Sequence, residues 1–315
     1  MLNNPALDVA IGLVFLYAIY SLFATTLTEL IATWINLRGK YLLNGIKRML
    51  DDDTGKVIDL QGDNKNLSES FYERPEILYL GRKSKRFNRN LPSYIKAKTF
   101  SKSVLNVLLN SKLSTESLDE LKNKLDRKIP TQAFLYNLIE EANNDINALK
   151  RLLEDWFNET MDRVAGWYKK RIQLITFIIG GILAFSMNVD TIAIAKQLSS
   201  DDKARIEMLN MATNSIMAMN DVSGADAEYN ATLDSLNAQI QTLTEQSKIT
   251  RSIIDVKRPA FKLDKKDFWL SVLGCLLTTI ALSLGASFWF DLLNRLIKLR
   301  GTGAQEETKK KETDT

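Results

Sequence analysis

The chain has 315 residues, 45% hydrophobic and 25% charged, with 42 Lys and Arg against 38 Asp and Glu. It has no histidine and a single cysteine. Their scarcity excludes His-based acid/base catalysis, Ser-His and Cys-His nucleophilic pairs, His-containing metal sites, intrachain disulfides and thiolate clusters.

The averages fit an ordinary globular protein, but the apolar residues are gathered in three blocks. The first, residues 9–28, reads VAIGLVFLYAIYSLFATTLT without a charge, and its apolar character continues past Glu29 to Trp34 and Ile35. A helix needs roughly 20 apolar residues to cross a hydrocarbon core. A first transmembrane helix is therefore predicted over 9–35, after an outer N-terminus at 1–8. The block lacks a basic n-region and exceeds the length of an h-region, so it reads as a retained anchor rather than a signal peptide.

Residues 36–171 are expected to form a cytoplasmic helical domain. LRGKYLLNGIKRMLDD reads as a helix leaving the membrane, DDDTGKVIDLQGDNKN as a turn-rich loop, and SESFYERPEILYL as a helix with a Ser cap. No acid occurs between Ile77 and Thr115, while Arg82, Lys83, Lys85, Arg86, Arg89, Lys96 and Lys98 accumulate among Tyr79, Phe87, Tyr94 and Phe100. Such a basic surface grips nucleic acid or a phosphorylated ligand. Tethered beside an anionic leaflet, it is better suited to lipid headgroups, and nucleic acid is not expected. TFSKSVLNVLL and STESLDELKNKL give two more helices. From Thr131 a continuous helical pattern runs into the second apolar block.

That block carries a collar, Trp167, Tyr168, Lys169, Lys170 and Arg171, of the kind found at a headgroup layer. It predicts a second transmembrane helix over 172–195. Residues 196–267 read as a periplasmic helical hairpin: Ile206, Leu209, Ile216 and Met219 mark one arm, and Tyr229, Leu233, Leu236, Ile240 and Leu243 the other. Residues 268–290, FWLSVLGCLLTTIALSLGASFWF, are again uncharged, predicting a third transmembrane helix over 268–293. The polar, mixed-charge residues 294–315 are expected to be a disordered cytoplasmic tail. The fold class is thus all-α, an integral membrane protein with three transmembrane helices.

Orientation follows from charge. Residues 36–171 hold 26 Lys and Arg against 19 Asp and Glu, whereas 196–267 hold 10 against 11. The positive-inside rule puts the N-terminus outside, and three crossings return the C-terminus to the cytoplasm. Trp34, Trp167, Tyr168 and Trp289 are expected as interfacial anchors on one side. Lys257, Arg258, Lys262, Lys265 and Lys266 run against this assignment.

Ionisable groups in hydrocarbon are costly and face protein or water. Glu29 or Asp291 is expected to pair with Arg163, Lys170 or Arg171 and fix helix registry. Small residues, among them Ala18, Ser21 and Thr28, Gly180, Gly181 and Ala184, and Cys275, Thr279 and Ser283, form stripes that let helices approach closely. Tight bundling and a homo-oligomer are expected, with Asn188, Asp190, Thr279 and Ser283 as candidate pore-lining residues. There is no Walker sequence, GxGxxG, GxSxG or metal-ligand spacing, so no enzyme and no cofactor are expected.

MDRVAGWYKKR, MNVDT and SLGASFWFDLLNRLIKLRG resemble a family of uncharacterised bacterial inner-membrane proteins. There a GWYKR collar precedes one span, an NVDT-like stretch ends it, and a SLGAPFWFDLL-like stretch closes the last. YSLFATTLTELIATWINLRGKYL, FYERPEILYL and PSYIKAKTF extend the resemblance. Arg74 stands where that pattern has histidine and Ser287 where it has proline, and the outer hairpin has no matching motif. The resemblance implies a bacterial envelope location. The expected function is a non-enzymatic anchor or scaffold binding membrane lipids and protein partners. The alternative is an oligomeric channel or membrane-disrupting effector gated through the basic region.

Overall fold

The computed structural model describes residues 4–51, 66–81, 91–109, 114–222 and 265–313, and among these every regular element is an α-helix. In chain order they are α1 (Pro5–Trp34), α2 (Leu37–Leu50), α3 (Leu67–Glu73), α4 (Pro75–Leu78), α5 (Ala97–Leu108), α6 (Thr115–Lys124), α7 (Pro130–Glu141), α8 (Ile146–Ser186), α9 (Thr191–Ser200), α10 (Asp202–Val222), α11 (Lys265–Ser283) and α12 (Ala286–Thr313). The chain divides into two compact units, Ala32–Arg171 and Met1–Ile31 with Ile172–Thr315. Arg82, Lys83, Lys85, Arg86 and Arg89, and the second arm of the expected hairpin, lie outside the described residues.

The unit Ala32–Arg171 is built as water-soluble domains are, with apolar side chains inside. Asn36, in the left-handed region at φ 48°, separates α2 from α1, and its side-chain oxygen accepts from Gly39 N. A Cβ on Gly39 would lie 2.7 Å from that oxygen, so the cap depends on glycine there. Leu42, Ile46 and Leu50 of α2 then enter a core with Phe71, Phe100, Leu105, Leu138 and Phe157. Phe100 is its centre, with ring centroids 5.5 Å from Phe71 and 4.6 Å from Phe157. The first turn of α3 is held by Asp51 rather than by a Ser cap. Ser68 lies inside the helix, and its N–H donates to Asp51 Oδ1 at 2.9 Å. Burial pushes Glu76 upward, but hydrogen bonds from its own backbone and Asn106, with the charge of Arg74, outweigh it and leave the carboxyl below its usual range.

The long helix expected from Thr131 is interrupted. Asn143 and Asn144 both take positive φ, ending α7 before α8 begins. Asn is among the few residues that tolerate this geometry, and no glycine or proline marks the break. Beyond it α8 does run without interruption from Ile146 to Ser186.

Among the described residues, α1 alone is long and apolar enough to cross a membrane. The number rises to three if α8 with α9, and α11 with α12, are each one broken span. The expected single helices over 172–195 and 268–293 are therefore both corrected. At the first break Asn188 takes φ 54° and the axis turns by 52°. At the second, Gly285 takes φ 87°, open to glycine without a Cβ penalty, and the axis turns by 95°. The expected disordered tail is corrected too, since α12 continues to Thr313.

Replacing Phe100 by alanine removes the ring that joins α3, α5 and α8. The expected loss is about 3–5 kcal/mol, read as a lowered midpoint in thermal unfolding of the full chain in detergent, whereas exposed Lys98→Ala leaves it unchanged.

Candidate functional site at two broken helices

Helices in lipid gain nothing from hiding apolar surface against one another, so they associate where backbones come close and polar groups find partners. The unit containing α1 follows this rule. A Cβ on Gly180 would sit 3.3 Å from Leu282 Cβ and one on Gly181 would sit 3.5 Å from Thr279 Cγ2, so α8 and α11 touch along their small residues. Thr176 Oγ1 lies 3.2 Å from Thr28 Oγ1, joining α8 to α1, while Thr28 donates to Ala24 O in its own helix.

A chain of hydroxyls crosses the bundle at the first break. Tyr17 OH lies 2.9 Å from Thr191 Oγ1, Thr191 Oγ1 lies 2.8 Å from Thr278 Oγ1, and Thr278 lies 2.5 Å from Val189 O. The direction of donation is fixed by the far end. Carbonyls only accept, so Thr278 gives its one proton to Val189 O or to Gly274 O at 3.0 Å. Thr191 must then donate to Thr278, and Tyr17 to Thr191. The chain ties α1, α9 and α11 together and satisfies a carbonyl freed by the break. Because it ends on a backbone carbonyl, it is a clasp and not a proton path.

Beside it Asp190, 3% exposed, caps α9: Oδ1 accepts from Ile192 N at 2.9 Å and Ala193 N at 3.1 Å. A buried carboxylate costs several kcal/mol. Two charge-assisted bonds, at about 1.5–3 kcal/mol each, and the positive end of the helix dipole offset that cost. The carboxylate lies against α11 at Gly274, where an added Cβ would fall 1.8 Å from Oδ1. Any side chain there expels the cap.

The positions singled out from sequence are redistributed. Asp190 and Thr279, candidates for a pore wall, are buried in helix contacts, and Thr279 donates to Cys275 O. Ser283 donates to Ile280 O in its own helix. Asn188 forms the bend, with its amide nitrogen buried and without a partner. Glu29 and Asp291 are exposed, and neither takes part in an ion pair among the described residues. An ion pair in this unit that sequence reasoning missed joins Asp8 to Arg300, 3.1 Å apart without hydrogen-bond alignment. The four anchors also part company. Trp289 is 8% exposed, donates to Ala281 O at 2.6 Å and packs on Tyr17 at 4.7 Å, so it is a core residue. In the other unit Trp34 is exposed, Trp167 lies under Arg48 at 5.0 Å, and Tyr168 accepts from Arg38 at 3.1 Å. Arg163, Lys170, Arg171, Lys96 and Lys98 are exposed. Among the described residues no group of acids and cysteine is placed to hold a metal ion.

Two outcomes follow for detergent-solubilised protein. Asp190→Ala lowers stability by about 1–2 kcal/mol while Asp190→Asn, also a good cap, nearly preserves it; equal damage by both would show that the charge itself is needed. Thr278→Val, which strands a carbonyl and a hydroxyl, costs about 1–3 kcal/mol in the same thermal assay. No protein-family model matches this chain, and neither a curated protein nor a solved structure matches it.

Proposed function

We propose that the protein is a non-enzymatic anchor or scaffold of the bacterial inner membrane, with residues 32–171 on the cytoplasmic side as its partner-binding domain. One observation carries this reading. The unit containing α1 has an apolar core, yet it also turns apolar side chains outward and polar ones inward: Leu174, Phe177, Ile178, Ile182 and Phe185 of α8 are 41–62% exposed, while Thr28, Thr176, Asp190, Thr278 and Thr279 are buried. An apolar outer face of that size has no place in water, and inward polar groups are what a lipid-facing bundle requires.

The charge difference between residues 36–171 and 196–267 supports the cytoplasmic assignment. Exposed Lys96 and Lys98 beside exposed Tyr94 suit contact with anionic headgroups. The channel alternative draws no support from the hydroxyl chain, which ends on a carbonyl, or from Asp190 and Thr279, which face protein.

Substitution of Ile182, 62% exposed, separates lipid from water as its surroundings. In lipid, Ile182→Lys carries a penalty of about 2.5–3.5 kcal/mol at a helix centre and lowers the fraction of chain retained in membranes after an alkaline wash. In water the same change is harmless. A wild-type chain that leaves the membrane on alkaline washing, or an Ile182→Lys variant indistinguishable from it, would overturn the membrane assignment. Steady single-channel currents from purified protein in planar bilayers would overturn the anchor in favour of the channel.

A further inference from the structure

α1 serves as a ruler for the depth of every other helix in its unit. Thr176 stands beside Thr28, and Phe23 and Ala24 cluster with Ile179 and Leu183, so α8 runs antiparallel to α1 and Gly180 lies at the depth of Ala24. α11 descends along this ruler. Its Gly274 abuts Asp190, Thr278 connects through Thr191 to Tyr17, and Leu282 reaches Gly180. A continuous span would go on toward Thr28, but the chain turns at Gly285 and comes back. Trp289 packs on Tyr17, and Arg300 pairs with Asp8. The eleven residues from Trp289 to Arg300 make about 16 Å of helix and the nine from Tyr17 to Asp8 about 14 Å, so α12, turned by 95° from α11, leans back toward the N-terminal end of α1.

We infer that α11 and the turn after it form a re-entrant segment that enters and leaves the bilayer on the side of the α1 N-terminus, its outer face covered by lipid acyl chains. The residues after Arg300 then emerge on the same side as Asn4, in place of the cytoplasmic C-terminus expected from three crossings. This rests on the membrane reading above. Leu282, at the depth of Ala24, lies sixteen residues below Asp8, about 24 Å along α1, so the turn stops short of the far side of a hydrocarbon core roughly 30 Å thick.

Side-chain chemistry agrees with that placement. Leu273, Leu276, Leu277, Ile280, Leu284 and Phe288 are 43–56% exposed along α11 and its turn, and no charge occurs from residue 268 to 290. On α12 the exposed charges Asp291, Arg295 and Lys298 follow this run. Irregular backbone at membrane depth must satisfy its own polar groups. At the turn Leu284 N donates to Ala281 O and Gly285 N to Leu282 O, both at 3.2 Å.

The test is labelling of intact bacterial cells with a membrane-impermeant maleimide, using single cysteines at Ala6, Lys98 and Thr308 in a Cys275→Ala background. The expected result is that Ala6→Cys and Thr308→Cys react alike and Lys98→Cys does the opposite. If Thr308→Cys follows Lys98→Cys, or differs from Ala6→Cys in any other way, the re-entrant segment is overturned. Should these variants fail to accumulate, protease treatment of sealed vesicles of one orientation carrying the Cys275-containing chain with a terminal epitope at each end decides the same question: both epitopes are removed or both are protected, and removal of one alone overturns the inference. Failure of the membrane reading looks different, because the chain then leaves the membrane on alkaline washing and the three cysteines react alike in broken cells and never sort by side.

Discussion

A helix that breaks inside a packed bundle exposes carbonyls and N–H groups that water cannot reach, and the unit containing α1 is organised around this constraint. At Asn188 the chain leaves the helical path with the Val189 carbonyl and the first N–H groups of α9 unmatched within their own helices. Asp190 takes the N–H groups and Thr278 takes the carbonyl. Thr278 can do so only because α11 is pressed against the break, and α11 comes that close because Gly274 carries no side chain and Gly180 leaves little room for one. The small residues, the buried carboxylate and the hydroxyl chain are thus parts of one solution, and removing any of them leaves a polar group stranded.

The second break obeys the same rule by different means. The N–H groups of Leu284 and Gly285 reach back to the end of α11, and Trp289 uses its indole N–H on Ala281 O. The indole reaches that carbonyl because α12 folds back over α11, which moves Trp289 from a membrane boundary into the core beside Tyr17. A tryptophan after an apolar run reads from sequence as an interfacial belt residue, yet the same side chain also serves wherever a buried carbonyl needs a donor.

This difference marks how far the sequence was legible. Long apolar runs announce helices, and α1 and the second half of α8 stand where the uncharged blocks are. The breaks are harder to read, because Asn143, Asn144 and Asn188 are unremarkable asparagines in sequence and only tertiary contacts decide that they adopt positive φ. Gly285 was visible as a glycine, but a glycine inside an apolar run is common in membrane helices and does not by itself predict a turn of 95°. The Asp8–Arg300 pair was hidden for a related reason. With three straight crossings these residues belong to opposite sides of the bilayer, and only a returning α12 lets them meet. Asp190 was noticed as an acid near an interface, but its role as a helix cap depended on the break beside it.

The same constraint bears on how chains of this protein meet one another. Stripes of small residues are the usual means by which membrane helices associate, since close backbone approach is what lipid cannot match. Here Gly180, Gly181, Ala184, Cys275 and Thr279 are consumed by contact between α8 and α11 within one chain. What remains outward on these helices is bulky and apolar, Phe177, Ile182 and Phe185 on α8 and Leu276 and Ile280 on α11. In the membrane reading proposed above, lipid tails would solvate such side chains as well as another helix, and these faces would add little drive for assembly. Specific association would then be left to surfaces outside the hydrocarbon, where water restores the hydrophobic effect and charged groups add selectivity.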